Sequence, residues 1–406
     1  MSMEVHIDWK CETHLAGRIH TAERSASVSF EYAREWLNRA GAFAIDPTSL
    51  PLQTGPFHSQ LLFGAIQDCG PDRWGRVLIE RAVRKQLLER KPYRDIDYAL
   101  ALNDETRIGS LRFRVDSKGA FLAARDTKIP PLINLAALLN AADAVHSDTE
   151  TAQDLRHLLG QGSPLGGARP KSTVILPDGK LGIAKFPKPD DTRDIAAGEI
   201  LALTLAREAG INVAEHQLVA VNGRNVALIT RFDRNAQQRI PFLSANTLLG
   251  LTSENSGAYT LIADGIRQFG YDTPADLEEM WRRLVFSLLA SNFDDHLRNH
   301  GFLMREPGRW ALSPAYDLNP VPEIDRSLTP KTAITEYQNE PSMDAALKAA
   351  SRFGLKLDKA KAILREVFTA VSGWRESGRQ LRLKTSTLDA YASAFEHHLM
   401  DEAKLC

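Results

Sequence analysis

Two acids, two histidines, an arginine and two asparagines crowd into Ser291-Asn-Phe-Asp-Asp-His-Leu-Arg-Asn-His-Gly-Phe-Leu. An amphipathic pattern precedes this stretch and an apolar, strand-like run follows it. Charges are costly to bury unless they are paired or bound to metal, so packing alone does not explain such a loop. The plain alternative is a polar helix end with Asp–Arg pairs. A further acid, Asp317, stands in the proline-bounded loop Leu312-Ser-Pro-Ala-Tyr-Asp-Leu-Asn-Pro. Alone it would read as a turn residue. Together Asp294, Asn299 and Asp317 form an Asp-x4-Asn pair followed downstream by Asp. Phosphoryl transfer needs a carboxylate near the attacking hydroxyl and hard oxygen ligands for Mg²⁺ on the nucleotide phosphates. By spacing, Asp294 orients or deprotonates the hydroxyl, and Asn299 and Asp317 are metal ligands.

Such chemistry also needs a cation on the phosphates. Lys185 lies in the apolar strand Leu-Gly-Ile-Ala-Lys-Phe, and Glu199 lies on the apolar helical stretch that follows. A strand lysine paired with a helix glutamate is a recognised kinase arrangement. The alternatives are a snorkelling edge-strand lysine and an ordinary helix-surface glutamate. Gly162-Ser-Pro-Leu-Gly-Gly-Ala-Arg-Pro-Lys is a glycine-rich loop ending on a cation, suited to covering phosphates. It matches neither GxxxxGK[ST] nor GxGxxG, so it carries little weight alone. His296 and His300 stand four apart, as zinc ligands on a helix would. Asn299 and Gly301 disfavour a continuing helix there, and HExxH is absent.

The elements that must position these residues fall into three stretches. Residues 1–125 read as a mixed α/β module, with strands at Val5–Trp9, Ala26–Phe30 and Ser110–Val115, the first two separated by Gly17 and a polar run. Asp72 opens a basic helix carrying Arg73, Arg76, Arg81, Arg84 and Lys85, read either as a partner or nucleic-acid contact or as a solvated face. Residues 126–235 begin as polar helix and connector, with a helix start near Asp148. They continue as glycine-rich loop, hairpin, helix Ile195–Ala209 and a second hairpin turning at Asn222-Gly223. Residues 236–406 are helical. Thr273-Pro-Ala-Asp reads as a capping box, and Leu277, Trp281, Leu284, Val285 and Leu288 form one stripe. Helices also read at Met343–Phe353, Leu357–Val371 and Ser386–Leu399. The expected fold class is α+β, a protein-kinase-like bilobal fold with a β-rich lobe and a helical lobe behind a small α/β module.

The 406 residues are 43% hydrophobic, ample for a large core. Lys plus Arg total 50 against 51 for Asp plus Glu, a net charge of -1, so no polyanionic partner is demanded. The three cysteines, Cys11, Cys69 and Cys406, lack CxxC spacing, which argues against a disulfide framework and fits a reducing cytosol. Neither a signal peptide nor an apolar run of ~18 residues is evident, so no membrane association is expected and the expected location is cytoplasmic.

Leu-Gly-Gly-Ala-Arg-Pro-Lys, Asp-Asp-His-Leu-Arg-Asn and Tyr-Asp-Leu-Asn-Pro, in this order, resemble the HipA family of serine/threonine kinase toxins. Gly-Pro-Asp-Arg-Trp-Gly-Arg-Val-Leu-Ile-Glu-Arg resembles the N-terminal module of that family. The resemblance spans roughly residues 10 to 375. It implies an ATP- and Mg²⁺-dependent kinase acting as the toxin of a toxin–antitoxin pair linked to persistence. The implied partners are a helix-turn-helix antitoxin of HipB type and, through it, operator DNA. The implied substrate is an aminoacyl-tRNA synthetase, chiefly the glutamyl enzyme. Carried over by motif, Asp294 is the catalytic aspartate, and Lys171 and Lys185 contact ATP phosphates. Thr230 and Phe232 belong to the adenine hinge, and His296 lies near the nucleotide. Thr230 stands where glutamate is common in the family, and Arg298 where lysine is common. Pro164 stands where a self-phosphorylated serine is common, which leaves Ser163 as the candidate in a shifted register. The alternative function is a weakly active or inactive kinase-fold regulatory subunit that binds DNA together with a helix-turn-helix antitoxin.

Overall fold

The computed structural model describes residues 2–22, 27–122, 129, 132–159, 167–236, 238–253 and 257–406. Ser163 and Pro164 lie outside the described residues. The chain divides into two compact units. One holds Met1–Asp190, Val221–Arg224 and Leu228–Leu243; the other holds Asp191–Ala220, Asn225–Ala227 and Ser244–Cys406.

In the first unit, β1 (Ser2–Trp9), β2 (Glu12–Thr21), β3 (Val28–Tyr32), β4 (Pro56–Ser59) and β5 (Leu111–Arg114) form a sheet in the order β4-β3-β2-β1-β5. Met3, Val5, Ile7, Ile19, Phe30 and Phe113 supply its buried face. The expected break at Gly17 is instead the middle of β2. Position 17 is glycine because a Cβ there would sit 2.3 Å from the Glu31 carbonyl oxygen and 2.5 Å from the Phe30 ring. The basic helix forms over Arg73–Arg84, with Asp72 capping it by accepting from the Gly75 N–H at 2.8 Å. Trp74, Leu78, Ile79 and Ala82 are its buried face. Its basic residues are partly engaged, Arg81 with Asp148 and Glu150 at 2.5 and 2.9 Å, and Arg76 with Asp95 at 2.8 Å.

β6 (Lys171–Ile175) and β7 (Leu181–Lys185) form the expected hairpin, closed by Gly179 at φ +81°. The second hairpin joins β8 (His216–Val221) to β9 (Arg224–Thr230). Asn222 and Gly223 both have positive φ, 49° and 76°, as the two-residue primed turn requires. Within the first unit, the Arg231 N–H donates to the Leu181 carbonyl at 2.8 Å, tying the end of β9 to β7.

The second unit is mainly helical. Helix Ile195–Glu208 is capped by Asp194 and followed by Gly210 at φ +78°. Gly198 lets it approach Tyr391, whose hydroxyl oxygen would lie 2.3 Å from a Cβ at that position. Helix Thr273–Leu289 buries the whole expected stripe. Its cap is Asp272 rather than Thr273: the Asp272 carboxylate accepts from the Ala275 N–H, and Pro274 falls inside the first turn. The expected helix Ser386–Leu399 is two helices, Thr385–Phe395 and His398–Leu405. His397 interrupts them with extended backbone, and its Nε2 reaches the Leu289 carbonyl at 3.0 Å. The strand-like run after His300 is a hairpin of Gly301–Glu306 and Arg309–Leu312. Among the described residues no helix is long and apolar enough to cross a membrane.

Candidate active site

The second unit brings Asp294, His296, Asn299 and Asp317 onto two loops laced together by hydrogen bonds. The first loop leaves helix Thr273–Leu289 at Ser291, which has φ +49°. It ends in a short 3-10 turn over Leu297–Asn299, where the Asn299 N–H donates to the His296 carbonyl at 2.7 Å. The second loop follows the Gly301–Leu312 hairpin. Tyr316 donates its hydroxyl to the Arg298 carbonyl at 2.7 Å. The Asn319 N–H donates to Asn292 Oδ1 at 2.9 Å, and the Val321 N–H to the Ser291 carbonyl at 3.1 Å. These bonds flank Asp317, whose φ of +59° lies in the left-handed region that non-glycine residues seldom adopt. Such backbone persists only where its surroundings fix it, and it clusters at functional sites.

The adjacent acids Asp294 and Asp295 have opposite environments. Asp294 is exposed, and its carboxylate pairs with Lys331 at 2.5 Å. Asp295 is buried. It accepts from the Tyr259 hydroxyl and has His300 Nε2 at 3.1 Å, an ion-pair distance outside hydrogen-bond geometry. Burial pushes the Asp295 carboxyl up, but His300, the Tyr259 hydroxyl and His296 outweigh it and hold it below the usual aspartate value. The same contact, together with burial, drives the Tyr259 hydroxyl well above its ordinary value. Thr332 Oγ1 completes the anchor by donating to the Asp295 carbonyl at 2.8 Å. Asp295 therefore fixes the loop and leaves Asp294 presented to solvent.

Asn299 Oδ1 and His296 Nδ1 are buried, with no hydrogen-bond partner among the described residues. A buried acceptor without a donor is unfavourable, and a hard oxygen in that state suits a cation such as Mg²⁺. Asp317 supplies a second hard oxygen donor. The donor chemistry of Asn299 and Asp317 therefore suits a Mg²⁺ ion. The zinc alternative has no support in the geometry. His300 turns to Asp295 and stacks edge-on against Tyr259, and among the described residues no three His, Cys, Asp or Glu side chains gather as a metal site.

The lysines lie in the first unit. Lys171 and Lys185 are direct cross-strand partners in the β6–β7 register. Like charges placed so are unfavourable unless countered. Lys171 is countered: it is 1% exposed, and its ammonium lies 2.5 Å from Asp72. The Trp74 indole N–H also donates to the Lys171 carbonyl at 3.1 Å. Lys185 is half-buried. Thr230 and Phe232 flank the buried Arg231, which donates to Asp233 and to the Thr106 and Arg107 carbonyls. Burial raises the Asp233 carboxyl, yet Arg231 and Arg234 hold it far below the ordinary range. Glu199, in the second unit, is buried at 3% exposure and so is no surface charge. Asp72, Tyr259 and Lys331 carried no signal of these contacts, because their partners are distant in sequence. For Asp295 the only signal was its place beside Asp294.

The HipA N-terminal domain matches residues 7–114 and the HipA-like C-terminal domain matches residues 163–374. A Haemophilus influenzae protein named "Putative kinase" is 29% identical over 192 residues, covering 41% of this chain and 56% of that protein. "Putative kinase Y4dM" of Sinorhizobium fredii is 30% identical over 243 residues, covering 53% and 57%. The chain thus spans somewhat over half the length of these two relatives. Among solved structures, HipA of Shewanella oneidensis MR-1, from a complex with HipB and its operator DNA, matches with a TM-score of 0.71. That match covers 99% of this chain and 97% of the other at 17% identity, which speaks for the fold. With the C-terminal match alone taking in more than half of the sequence, this chain belongs to the HipA family.

Proposed function

We propose that this chain is an ATP- and Mg²⁺-dependent serine/threonine protein kinase that acts as the toxin of a toxin–antitoxin pair in the cytoplasm. The observation that carries the reading is the pair of laced loops. They carry an exposed Asp294, a buried Asn299 oxygen with no hydrogen-bond partner among the described residues, and a left-handed Asp317. In this reading Asp294 accepts the hydrogen bond of the attacking hydroxyl and takes its proton. Asn299 and Asp317 hold Mg²⁺, which when bound neutralises phosphate charge. Lys185 orients the phosphates, with its cross-strand partner Lys171 beside it. Thr230 and Phe232 line the adenine end, His296 faces the nucleotide, and Ser163 is a site of self-phosphorylation.

Family membership supports the biological part of the proposal. The substrate is an aminoacyl-tRNA synthetase, the glutamyl enzyme first, and its phosphorylation halts translation. The partner is a HipB-type antitoxin through which the pair binds operator DNA. The test is transfer of labelled phosphate from ATP with Mg²⁺ to purified synthetases. Wild type is expected to label one of them, and Asp294→Asn to lose at least about a hundredfold in rate. Equal labelling by the two proteins, or none by either, would remove the reading. Growth arrest on expression of wild type but not Asp294→Asn tests toxicity.

A further inference from the structure

We propose that Lys331 is a catalytic cation of this site, delivered to Asp294 by a segment outside the Asp-x4-Asn loop; the inference rests on the kinase reading above. Its ammonium lies 2.5 Å from Asp294 Oδ1. The segment carrying it is fixed from two sides. The Lys331 N–H donates to the Phe293 carbonyl at 3.0 Å, and Thr332 Oγ1 donates to the Asp295 carbonyl at 2.8 Å. Thr332–Ala333 also pairs in parallel with Gly257–Ala258, directly before the helix that begins at Tyr259. Tyr259 in turn donates to Asp295. The backbones of Phe293, Asp295 and Lys331 are therefore tied together, which keeps the stem of the lysine close to Asp294 while leaving its ammonium free to exchange partners.

Stability does not account for this arrangement. The Lys331 and Asp294 side chains are 40% and 58% exposed, and ion pairs so exposed contribute little. Exposure does leave both groups within reach of a substrate. A transferring phosphoryl group spreads negative charge over its equatorial oxygens, and a positioned cation stabilises that charge. Asp294 takes the hydroxyl proton as the new oxygen–phosphorus bond forms and the bond to the ADP oxygen breaks. Lys331 keeps its own proton and donates a hydrogen bond to a transferring oxygen. In the absence of substrate the pair holds each charge in readiness for this exchange.

The experiment compares Lys331→Met and Lys331→Arg with wild type in the full-length chain. Turnover, the KM for ATP and the melting temperature are measured together. The expected result for Lys331→Met is a kcat roughly a hundredfold lower with KM and melting temperature little changed. Lys331→Arg is expected to recover to within roughly tenfold of wild type. A Lys331→Met variant that turns over like wild type overturns the proposal. A second readout covers a Met variant that fails to fold, and a wild type that transfers no phosphate. This readout is acetylation of Lys331 in the wild-type chain by an amine-reactive ester, followed by mass spectrometry with and without ATP and Mg²⁺. Slower acetylation in their presence supports the contact even if the kinase reading has failed, and equal acetylation overturns it.

Discussion

Two lysine–aspartate pairs at the same 2.5 Å separation mark the two units, and they are built for different purposes. Lys171 and Asp72 in the first unit are 1% and 3% exposed, whereas Lys331 and Asp294 in the second are 40% and 58% exposed. The buried pair joins segments 99 residues apart in sequence, and Asp72 also caps a helix. Once water is excluded, neither charge tolerates loss of the other. The exposed pair is solvated, so either partner can leave. Equal distance thus conceals a lock in one unit and an exchangeable contact in the other.

Breaking the lock gives the largest expected effect on stability. Lys171→Met takes the cation from the buried Asp72 carboxylate and is expected to cost about 3–5 kcal/mol, measured by urea denaturation. Adding Asp72→Asn, neutral and still a competent helix cap, should recover most of that loss. A single variant as stable as wild type would show that the pair is no lock. Next in size is Tyr259→Phe, which removes the hydroxyl donated to buried Asp295. Hydrogen bonds to buried charges are worth about 1.5–3 kcal/mol, so a melting temperature lower by several degrees is expected. An unchanged melting point would mean that the other contacts of Asp295, with His300, Ser287 and Thr332, secure it without the Tyr259 hydroxyl.

Asp276 extends the comparison to a buried carboxylate held chiefly by a backbone donor. It accepts from the Leu312 N–H at 3.2 Å, and burial pushes its carboxyl up to about 6. The folded state therefore holds the proton more tightly than the unfolded state does. Stability falls as pH rises from about 4 to about 6, and the full penalty of the charged form is present above that. Asp276→Asn is expected to stabilise the protein by about 2 kcal/mol at pH 8 and to give no gain at pH 4. Denaturation curves at the two pH values check this, and an equal gain at both would rule out titration of Asp276 as its source.

Features set by neighbouring residues were the legible ones. Asn222-Gly223 specified its turn, Asp194 and Gly210 bounded their helix, and the apolar stripe from Leu277 to Leu288 is buried as expected. The apposition of the loops that carry Asp294 and Asp317 was legible because a short hairpin returns the chain to the loop that precedes it. Contacts across long stretches of sequence were not legible. Asp72 gives no hint of Lys171, nor Tyr259 of Asp295, because no period or cap links them. The β2 strand escaped notice because Gly17 reads as a break until the Phe30 ring and the Glu31 carbonyl show why a Cβ is excluded. His397 likewise fits a helical pattern until its ring is seen to reach the Leu289 carbonyl.

The smallest expected stability effect falls on the exposed pair, and it is the one that decides the comparison. Exposed ion pairs are worth about 0.2–1 kcal/mol and weaken with salt. Lys331→Met should therefore shift the urea midpoint by no more than about a fifth of the change seen for a buried-pair variant losing about 5 kcal/mol, and at high salt the shift should vanish. The backbone bonds from Lys331 to Phe293 and from Thr332 to Asp295 do not involve the ammonium, so they hold the segment in the variant as in wild type. A loss of several kcal/mol that persists in high salt would place Lys331 with Lys171 as a structural anchor. A negligible loss would leave its position against Asp294 to be explained by chemistry.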